Sequence, residues 1–160
     1  MLIGIVSDTH DQLIALDKAL EVFKDRNVDF IIHGGDIISP FAAKKLKAGV
    51  AVPLYVIYGN NDGEREGLKK VLPQIQDGPM FIEAAGKTIL VHHDPELVPS
   101  DAIERADIVI TGHTHERGVE QRGEKLYINP GEGCGWLTGK ATVALLDPES
   151  LEVTIVELPM

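Results

Sequence analysis

The stretch GIVSDTHD, residues 4–11, places an acid, a hydroxyl and an imidazole directly after an apolar run. The apolar segment 2–6, LIGIV, is short and rich in β-branched residues, a composition that predicts a buried β-strand. Packing in the core does not require polar residues such as Asp8 and His10 at the end of a strand. Because ligands of open α/β sheets bind beyond the carboxyl ends of the strands, this tip indicates a binding site, and its residue types favour a metal ion.

The same arrangement recurs along the first half of the chain. Strands predicted over 28–32 and 52–58 end in HGGD and GNND, so further acids and amides follow each of them. The helices predicted between these strands are one capped by Asp11 and running to about residue 25, and one from Ser39-Pro40 to Gly49. The order βαβαβ predicts parallel strands flanked by helices.

The second half of the chain changes to a pattern rich in hairpins. Its predicted elements are, in order, a helix around 64–72, a hairpin over 80–94 that turns near Gly86, a short helix after Ser100, a strand within 107–115, and hairpins over 118–131 and 140–158. No repeat or linker interrupts the pattern. We therefore expect one α/β domain over residues 1–160, with mixed sheets packed together and helices outside.

The composition predicts the cellular compartment and excludes some classes of binding partner. The chain has one cysteine, Cys134, no apolar run long enough to span a membrane, and no basic leader after Met1, which together predict a cytoplasmic protein. The net charge of −10 is the reverse of the basic footprint of nucleic-acid binders. Long duplex nucleic acid is therefore disfavoured as a partner.

Side chains with oxygen or imidazole atoms that can bind a metal ion occur where the predicted strands end. They are Asp8, His10, Asp36, Asn60, His92, His93, His113 and His115. Each local pattern, taken alone, is equally explained by a turn or a surface histidine. Because five separate strands deliver such donors to one edge, the combination favours a metal site. His33 is predicted to support the core or the ligands, and Trp136 to pack rather than to stack on a base.

The order of these donors resembles the signature of the calcineurin-like metallophosphoesterase superfamily, D-x-H, G-D, G-N, H and G-H-x-H. In this chain the signature reads Asp8/His10, Gly35-Asp36, Gly59-Asn60, His92 and Gly112-His113-Thr114-His115. The resemblance covers residues 4 to about 131. The short length and the segment INPGEG, residues 128–133, resemble the small YfcE-type phosphodiesterase branch, which has serine where this chain has Glu132.

The resemblance implies both a fold and an activity. The fold is a β-sandwich of two mixed sheets flanked by helices, the αββα metallophosphoesterase fold. The activity is that of a dinuclear-metal-dependent phosphodiesterase, which hydrolyses small phosphodiesters, with cyclic nucleotides among the candidates, by attack of a metal-bound hydroxide.

The resemblance also implies a ligand set for two divalent cations. The implied ligands are Asp8, His10 and His115 for one ion, Asn60, His92 and His113 for the other, and Asp36 between them. The family alignment favours His92 over the adjacent His93. Mixed oxygen and nitrogen ligands without thiolate suit Mn²⁺, Fe, Ni²⁺ or Zn²⁺ better than a soft ion and do not choose among them. The resemblance implies Mn²⁺, with Ni²⁺, Fe, Zn²⁺ or Mg²⁺ as alternatives.

The chain departs from the wider superfamily at the general acid. That superfamily has histidine directly after the asparagine ligand, where it contacts the substrate and can protonate the leaving group, whereas this chain has Asn61. An amide can bond to a phosphoryl oxygen but cannot act as an acid. Aspartic acid has an ordinary pKa of about 3.9, so Asp62 is a poor acid at neutral pH and is expected to anchor the site from behind. His93 is the remaining candidate for the acid.

Other functions stay open at this point. A phosphomonoesterase or a nuclease of the same fold is an alternative among enzymes. A relative of this fold, a retromer subunit, is a protein-interaction scaffold that has lost part of the metal site, so a non-catalytic scaffold is an alternative of another class. All the implied ligands are present here, which favours catalysis. Relatives can also oligomerise, so a homo-oligomer is a further option.

Without a strong general acid, turnover should depend on the leaving group. We predict that aryl phosphodiesters are hydrolysed far faster than alkyl phosphodiesters, because an aryloxide leaves without being protonated. The measurement is kcat/KM for matched aryl and alkyl diesters in the presence of Mn²⁺. Equal rates for the two classes would show that another group acts as the acid.

Overall fold

The computed structural model describes all 160 residues. The strands are β1 Ile3–Val6, β2 Phe30–His33, β3 Leu54–Val56, β4 Met80–Ala84, β5 Lys87–Val91, β6 Ile108–Ile110, β7 Gly118–Arg122, β8 Lys125–Asn129, β9 Thr142–Asp147 and β10 Glu152–Glu157. The helices are α1 Leu13–Asp25, α2 Pro40–Gly49, α3 Arg65–Val71 and α4 Ser100–Arg105, and a single 3₁₀ turn covers Pro95–Leu97. The longest helix has 13 residues, and no helix is long and apolar enough to cross a membrane.

The strands form two mixed five-stranded sheets. The first sheet has the order β10-β9-β1-β2-β3, in which β1, β2 and β3 are parallel and β9 is antiparallel to both of its neighbours, β1 and β10. The second has the order β4-β5-β6-β8-β7, in which β5, β6 and β8 are parallel and the edge strands β4 and β7 antiparallel. The expected β-sandwich of two mixed sheets flanked by helices is confirmed.

Both faces of the first sheet are buried, which explains the nearly continuous apolar runs of its central strands. Ile3 and Ile5 of β1 point between the sheets, where 16 buried side chains form one cluster. Val6, on the opposite face, packs with the helices in a second cluster of 20 buried residues. Each fully buried aliphatic side chain contributes about 1.5–3 kcal/mol, so these two layers supply most of the stability.

Several expected boundaries differ in the structure, the second strand running over Phe30–His33 and the third over Leu54–Val56, and two of the differences have a clear local cause. Asp11 does not cap α1: the N-cap is Gln12, whose side chain accepts a hydrogen bond from the N–H of Ile14. The Asp11 carboxylate instead accepts from the N–H and hydroxyl of Ser39, the residue that caps α2. The third strand begins at Leu54 rather than at residue 52, because Pro53 has no N–H and offers only its carbonyl, to the N–H of Ile31.

The six parallel strands end at the same edge of the sandwich. In the first sheet, β1 leads to Asp8, β2 to Asp36 and β3 to Asn60. In the second, β5 leads to His93, β6 to His113 and His115, and β8 to Glu132. The sequence donors therefore converge because parallel strands carry their carboxyl ends to one side. The edge is shared by both sheets.

Candidate metal centre

Two carboxylates, those of Asp8 and Asp36, are buried at the centre of this edge, 0% and 1% exposed. Oδ2 of Asp8 accepts hydrogen bonds from the Ser7 hydroxyl at 2.7 Å and the His113 N–H at 3.0 Å. The Asp36 carboxylate accepts from the N–H and the side-chain amide of Asn61, at 2.8 and 2.9 Å. Oδ1 of Asp8 has no hydrogen-bond partner, although it is fully buried.

Imidazole rings surround the two carboxylates. Oδ1 of Asp8 lies 3.5 Å from Nε2 of His115, 3.7 Å from Nε2 of His10 and 3.9 Å from Nε2 of His93. Oδ2 of Asp36 lies 3.4 Å from Nε2 of His10 and 3.3 Å from Nε2 of His93. Two groups, Asp8 with His10 and His115, and Asp8 with Asp36 and His93, each bring their ligand atoms within 4.8 Å of one another.

These side chains fit a divalent cation. Nε2 of His10, like Oδ1 of Asp8, is buried without a hydrogen-bond partner. Each such orphan costs about 1–3 kcal/mol unless something satisfies it. Ligand atoms about 2.1 Å from one ion lie roughly 3–3.5 Å apart, close to the separations in this cluster. A cation contacting both orphaned atoms would remove the penalty.

The other ligand atoms converge on Asn60. Its Oδ1 lies 2.9 Å from Nε2 of His93 and 2.9 Å from Nδ1 of His113. Nε2 of His113 faces outward, 3.7 Å from the Asp94 carboxylate. The amide oxygen and two imidazoles therefore form a second set of donors beside Asp36.

The adjacent histidines His92 and His93 have opposite placements. His93 is 5% exposed, and its Nδ1 lies 2.8 Å from the Gly34 carbonyl oxygen, which can only accept, so that Nδ1 carries a proton and Nε2 faces the cluster. Nδ1 of His92 lies 2.9 Å from the carbonyl oxygen of Asp94. The structure brings His93 into the cluster and leaves His92, the ligand that the family alignment favoured, outside it.

Asn61 and Asp62 support the ligands from behind. Asn61 donates both its N–H and its amide to Asp36, so its side chain fixes the orientation of that carboxylate. The Asp62 carboxylate, 4% exposed, accepts from the N–H groups of Asp36, Ile38 and Gly59 at 2.7–2.9 Å. It thereby joins the loop after β2 to the loop after β3. A Cβ at Gly59 would overlap Asp36, so only glycine permits this approach.

Charge in the cluster is balanced by shared protons. Burial alone would lower the pKa of His93, but the Asp36 and Asp8 carboxylates raise it to about 9. Burial would raise the pKa of Asp36, but hydrogen bonds from His93 and Asn61 hold it well below its usual range. Cation binding to such a cluster releases these protons.

A family comparison agrees with this geometry. Residues 1–151 match the calcineurin-like phosphoesterase superfamily domain. The chain belongs to this superfamily. It is accordingly a hydrolase of the phosphoesterase class, and the ligand cluster described above lies within the matched residues.

Individual relatives align with nearly the whole length of this chain. The phosphodiesterase MJ0936 of Methanocaldococcus jannaschii is 42% identical in an alignment that covers 95% of this chain and 96% of the relative. The phosphodiesterase YfcE of Escherichia coli K12 is 27% identical, covering 96% and 91%. A solved structure described as a novel archaeal phosphodiesterase has a TM-score of 0.86 at 39% identity, covering 99% of this chain and 100% of the other.

Two residues near the cluster take no ligand position. His33 is fully buried: it accepts from the Gly35 N–H at Nδ1, so Nε2 donates to the Thr9 hydroxyl, and burial lowers its pKa to about 4. It is a neutral support, as expected. Trp136 is 61% exposed, contrary to the expectation of packing, and its indole N–H donates to the carbonyl of His10 at 3.3 Å.

Glu132 is a buried acid beside the cluster whose contacts the sequence did not reveal. It is fully buried and contacts Nδ1 of His115. Burial would raise its pKa, but hydrogen bonds from His115, the Thr138 hydroxyl and the N–H groups of Thr138 and Leu137 lower it to about 2. The only sequence signal was the acid in place of the serine of the YfcE-type branch. Cys134, beside it, has its pKa raised to about 12 by burial and supplies no thiolate.

We predict that Mn²⁺ stabilises this phosphoesterase. A ligand at 100 times its Kd that binds only the folded state adds about 2.7 kcal/mol, or roughly 5–10 °C in Tm for a chain of this size. Asp36→Ala removes a carboxylate that faces two of the histidines and should abolish the shift. Glu83→Ala, which removes an exposed acid on β4, should leave it unchanged. The measurement is thermal unfolding with Mn²⁺ and with EDTA, and a shift that survives in Asp36→Ala would exclude this site.

Proposed function

We propose that this protein is a metal-dependent phosphodiesterase that hydrolyses small phosphodiesters, cyclic nucleotides included, with two divalent cations. Asp8, His10 and His115 are the ligands of one cation, and Asn60, His93 and His113 are those of the other. Asp36 lies between the two sets. The observation that carries the proposal is the pair of buried carboxylates with five unpaired or converging imidazole and amide atoms around them.

The donor types suit the reaction. Two divalent cations in such a site neutralise the charge of the phosphodiester and lower the pKa of water, so that a nucleophile is available at neutral pH. Carboxylate, imidazole and amide ligands without thiolate favour Mn²⁺, with Ni²⁺, Fe, Zn²⁺ or Mg²⁺ as alternatives. Cys134 is buried against Glu132 rather than facing the cluster, which agrees with this choice and with a reducing, cytoplasmic location.

The supporting residues leave the site without a dedicated acid. Asn61 is engaged by Asp36, and the Asp62 carboxylate already accepts three backbone hydrogen bonds. His93 faces the metal ligands and is assigned as one of them. None of these three donates a proton to the leaving group. Aryl esters, whose leaving group needs no proton, should therefore turn over faster than cyclic nucleotides, whose leaving group is an alkoxide.

The surroundings favour a small substrate with an aromatic group. The indole of Trp136 is exposed beside His10, where an aryl ring or a nucleobase could stack on it. The net charge of −10 disfavours a nuclease that acts on long duplexes. A phosphomonoesterase is the remaining alternative among enzymes, and a substrate panel separates the two.

The adjacent histidines give a matched test of the site. With bis(p-nitrophenyl) phosphate and Mn²⁺, His93→Ala should lower kcat/KM by more than about 100-fold, because it removes a ligand rather than a partner of one. His92→Ala, one residue away and outside the cluster, should change kcat/KM by roughly twofold at most. Faster hydrolysis of p-nitrophenyl phosphate than of the diester would favour the phosphomonoesterase. Loss of activity in His92→Ala with retention in His93→Ala would reverse the assignment.

Trp136 is the only tryptophan and gives a test of the aromatic subsite. Phenylphosphonate and methylphosphonate, tested as competitive inhibitors, carry the same phosphonate group. The first has an aromatic ring attached to it and the second a methyl group. Trp136→Ala should weaken inhibition by phenylphosphonate by roughly 2–10-fold, the range of an aromatic pair, and Trp136→Phe should retain it. Inhibition by methylphosphonate should not change. Equal weakening of both inhibitors would mean that the indole shapes the site without contacting the organic group.

A further inference from the structure

The Glu132 carboxylate accepts hydrogen bonds from His115, which follows β6, and from residues 134–138 of its own loop. Nδ1 of His115 lies 2.5 Å from Oε2, and the thiol of Cys134 lies 3.4 Å from the same oxygen. The N–H and hydroxyl of Thr138 donate to Oε1 at 2.6 and 2.7 Å, and the N–H of Leu137 donates to both oxygens at 3.0–3.1 Å. So many hydrogen bonds to one buried carboxylate indicate that Glu132 has a specific structural role beside His115.

The contact with His115 determines which ring nitrogen carries the proton. An ionised carboxylate can only accept hydrogen bonds, so Nδ1 of His115 must be the donor. Nε2 then presents its lone pair, and it faces Oδ1 of Asp8 at 3.5 Å, within the ligand cluster. Of the four histidines in the cluster, His115 alone has a carboxylate on Nδ1. In His93 the nitrogen that faces away from the cluster is Nδ1, which meets a carbonyl oxygen. In His113 it is Nε2, which lies 3.7 Å from the Asp94 carboxylate and so beyond hydrogen-bond distance.

The same carboxylate also fastens the loop that carries Trp136. Leu137 and Thr138 are fixed by their N–H groups on one side of Trp136, and Cys134 by its thiol on the other. The indole between them reaches the carbonyl of His10. One buried acid therefore connects a metal ligand to the proposed aromatic subsite.

We propose that Glu132 is a positioning residue for the metal centre, which holds His115 as the Nδ1–H tautomer with Nε2 directed at the cation and orders residues 134–138 over the same edge. This inference rests on the proposed function only in taking His115 as a ligand. Carboxylate partners of ligand histidines fix the ring and increase its basicity.

Glu132→Gln tests the proposal by metal affinity. Glutamine has the same shape but one acceptor oxygen and no charge, so it cannot serve the same donors. We expect the Kd for Mn²⁺, measured by calorimetry, to rise by about 10–100-fold. Glu124→Gln is the matched control, since it makes the same change at an exposed acid in the turn between β7 and β8, and it should change the Kd by about twofold at most. An unchanged Kd in Glu132→Gln, or an equal loss in Glu124→Gln, would overturn the proposal.

A second measurement reads the His115 tautomer in the wild-type protein and uses a variant only to assign the resonances. In long-range ¹H–¹⁵N spectra of the zinc-loaded wild-type protein, the resonances that disappear in His115→Asn belong to His115. They should show a protonated Nδ1 and a metal-bound Nε2; the reverse pattern would overturn the proposal. If the wild type binds Mn²⁺ in a Glu132-dependent way but hydrolyses no phosphodiester, the proposed function fails and the role of Glu132 stands.

Discussion

The structure depends on a pair of like charges buried side by side. Asp8 and Asp36 end adjacent parallel strands, are at most 1% exposed, and face the same imidazoles. An uncompensated carboxylate in such a place costs several kcal/mol, so this edge is stable only with positive charge between the acids. The Asp8 and Asp36 carboxylates raise the pKa of His10 and that of His93, which favours positive charge on these rings. Divalent cations would supply more of it at the same position.

The backbone around these acids is strained in a way that the rest of the fold must stabilise. Left-handed φ angles of 39–67° occur at five residues of the cluster, namely Asp8, His10, Asp36, His113 and His115. Each costs roughly 1–2 kcal/mol for a residue with a Cβ. Two further carboxylates, those of Asp11 and Asp62, accept backbone N–H groups of the loop after β2 and help to hold it in place. The inner acids would bind a cation, whereas these outer acids hold the chain.

Hydrophobic periodicity and the positions of strand ends predict the fold and much of the site, but they do not predict contacts that join distant loops. The βαβαβ order was sufficient to place Asp8, Asp36 and Asn60 at one edge. His92 and His93 are neighbours just past the end of β5, where alternation no longer fixes which side chain points inward, so no sequence pattern distinguishes them. Glu132 meets His115 only because β6 and β8 are adjacent and parallel. The exposure of Trp136 was not predicted because composition says nothing of a residue held at a rim by one hydrogen bond.

The position of the cluster between the sheets has a mechanical consequence. The apolar layer that joins the sheets ends at this edge, and polar contacts replace it: the His113 N–H to Asp8, the Gly133 N–H to the Ser7 carbonyl, and Nδ1 of His93 to the Gly34 carbonyl. Ligands for a cation come from both sheets, so a bound cation would connect them where hydrophobic packing is absent. Separating the sheets would then require breaking metal–ligand bonds, and the binding free energy contributes to the stability of the whole fold rather than of one loop. A mutation that loosens either sheet at this edge should therefore weaken the metal site, even where it removes no ligand.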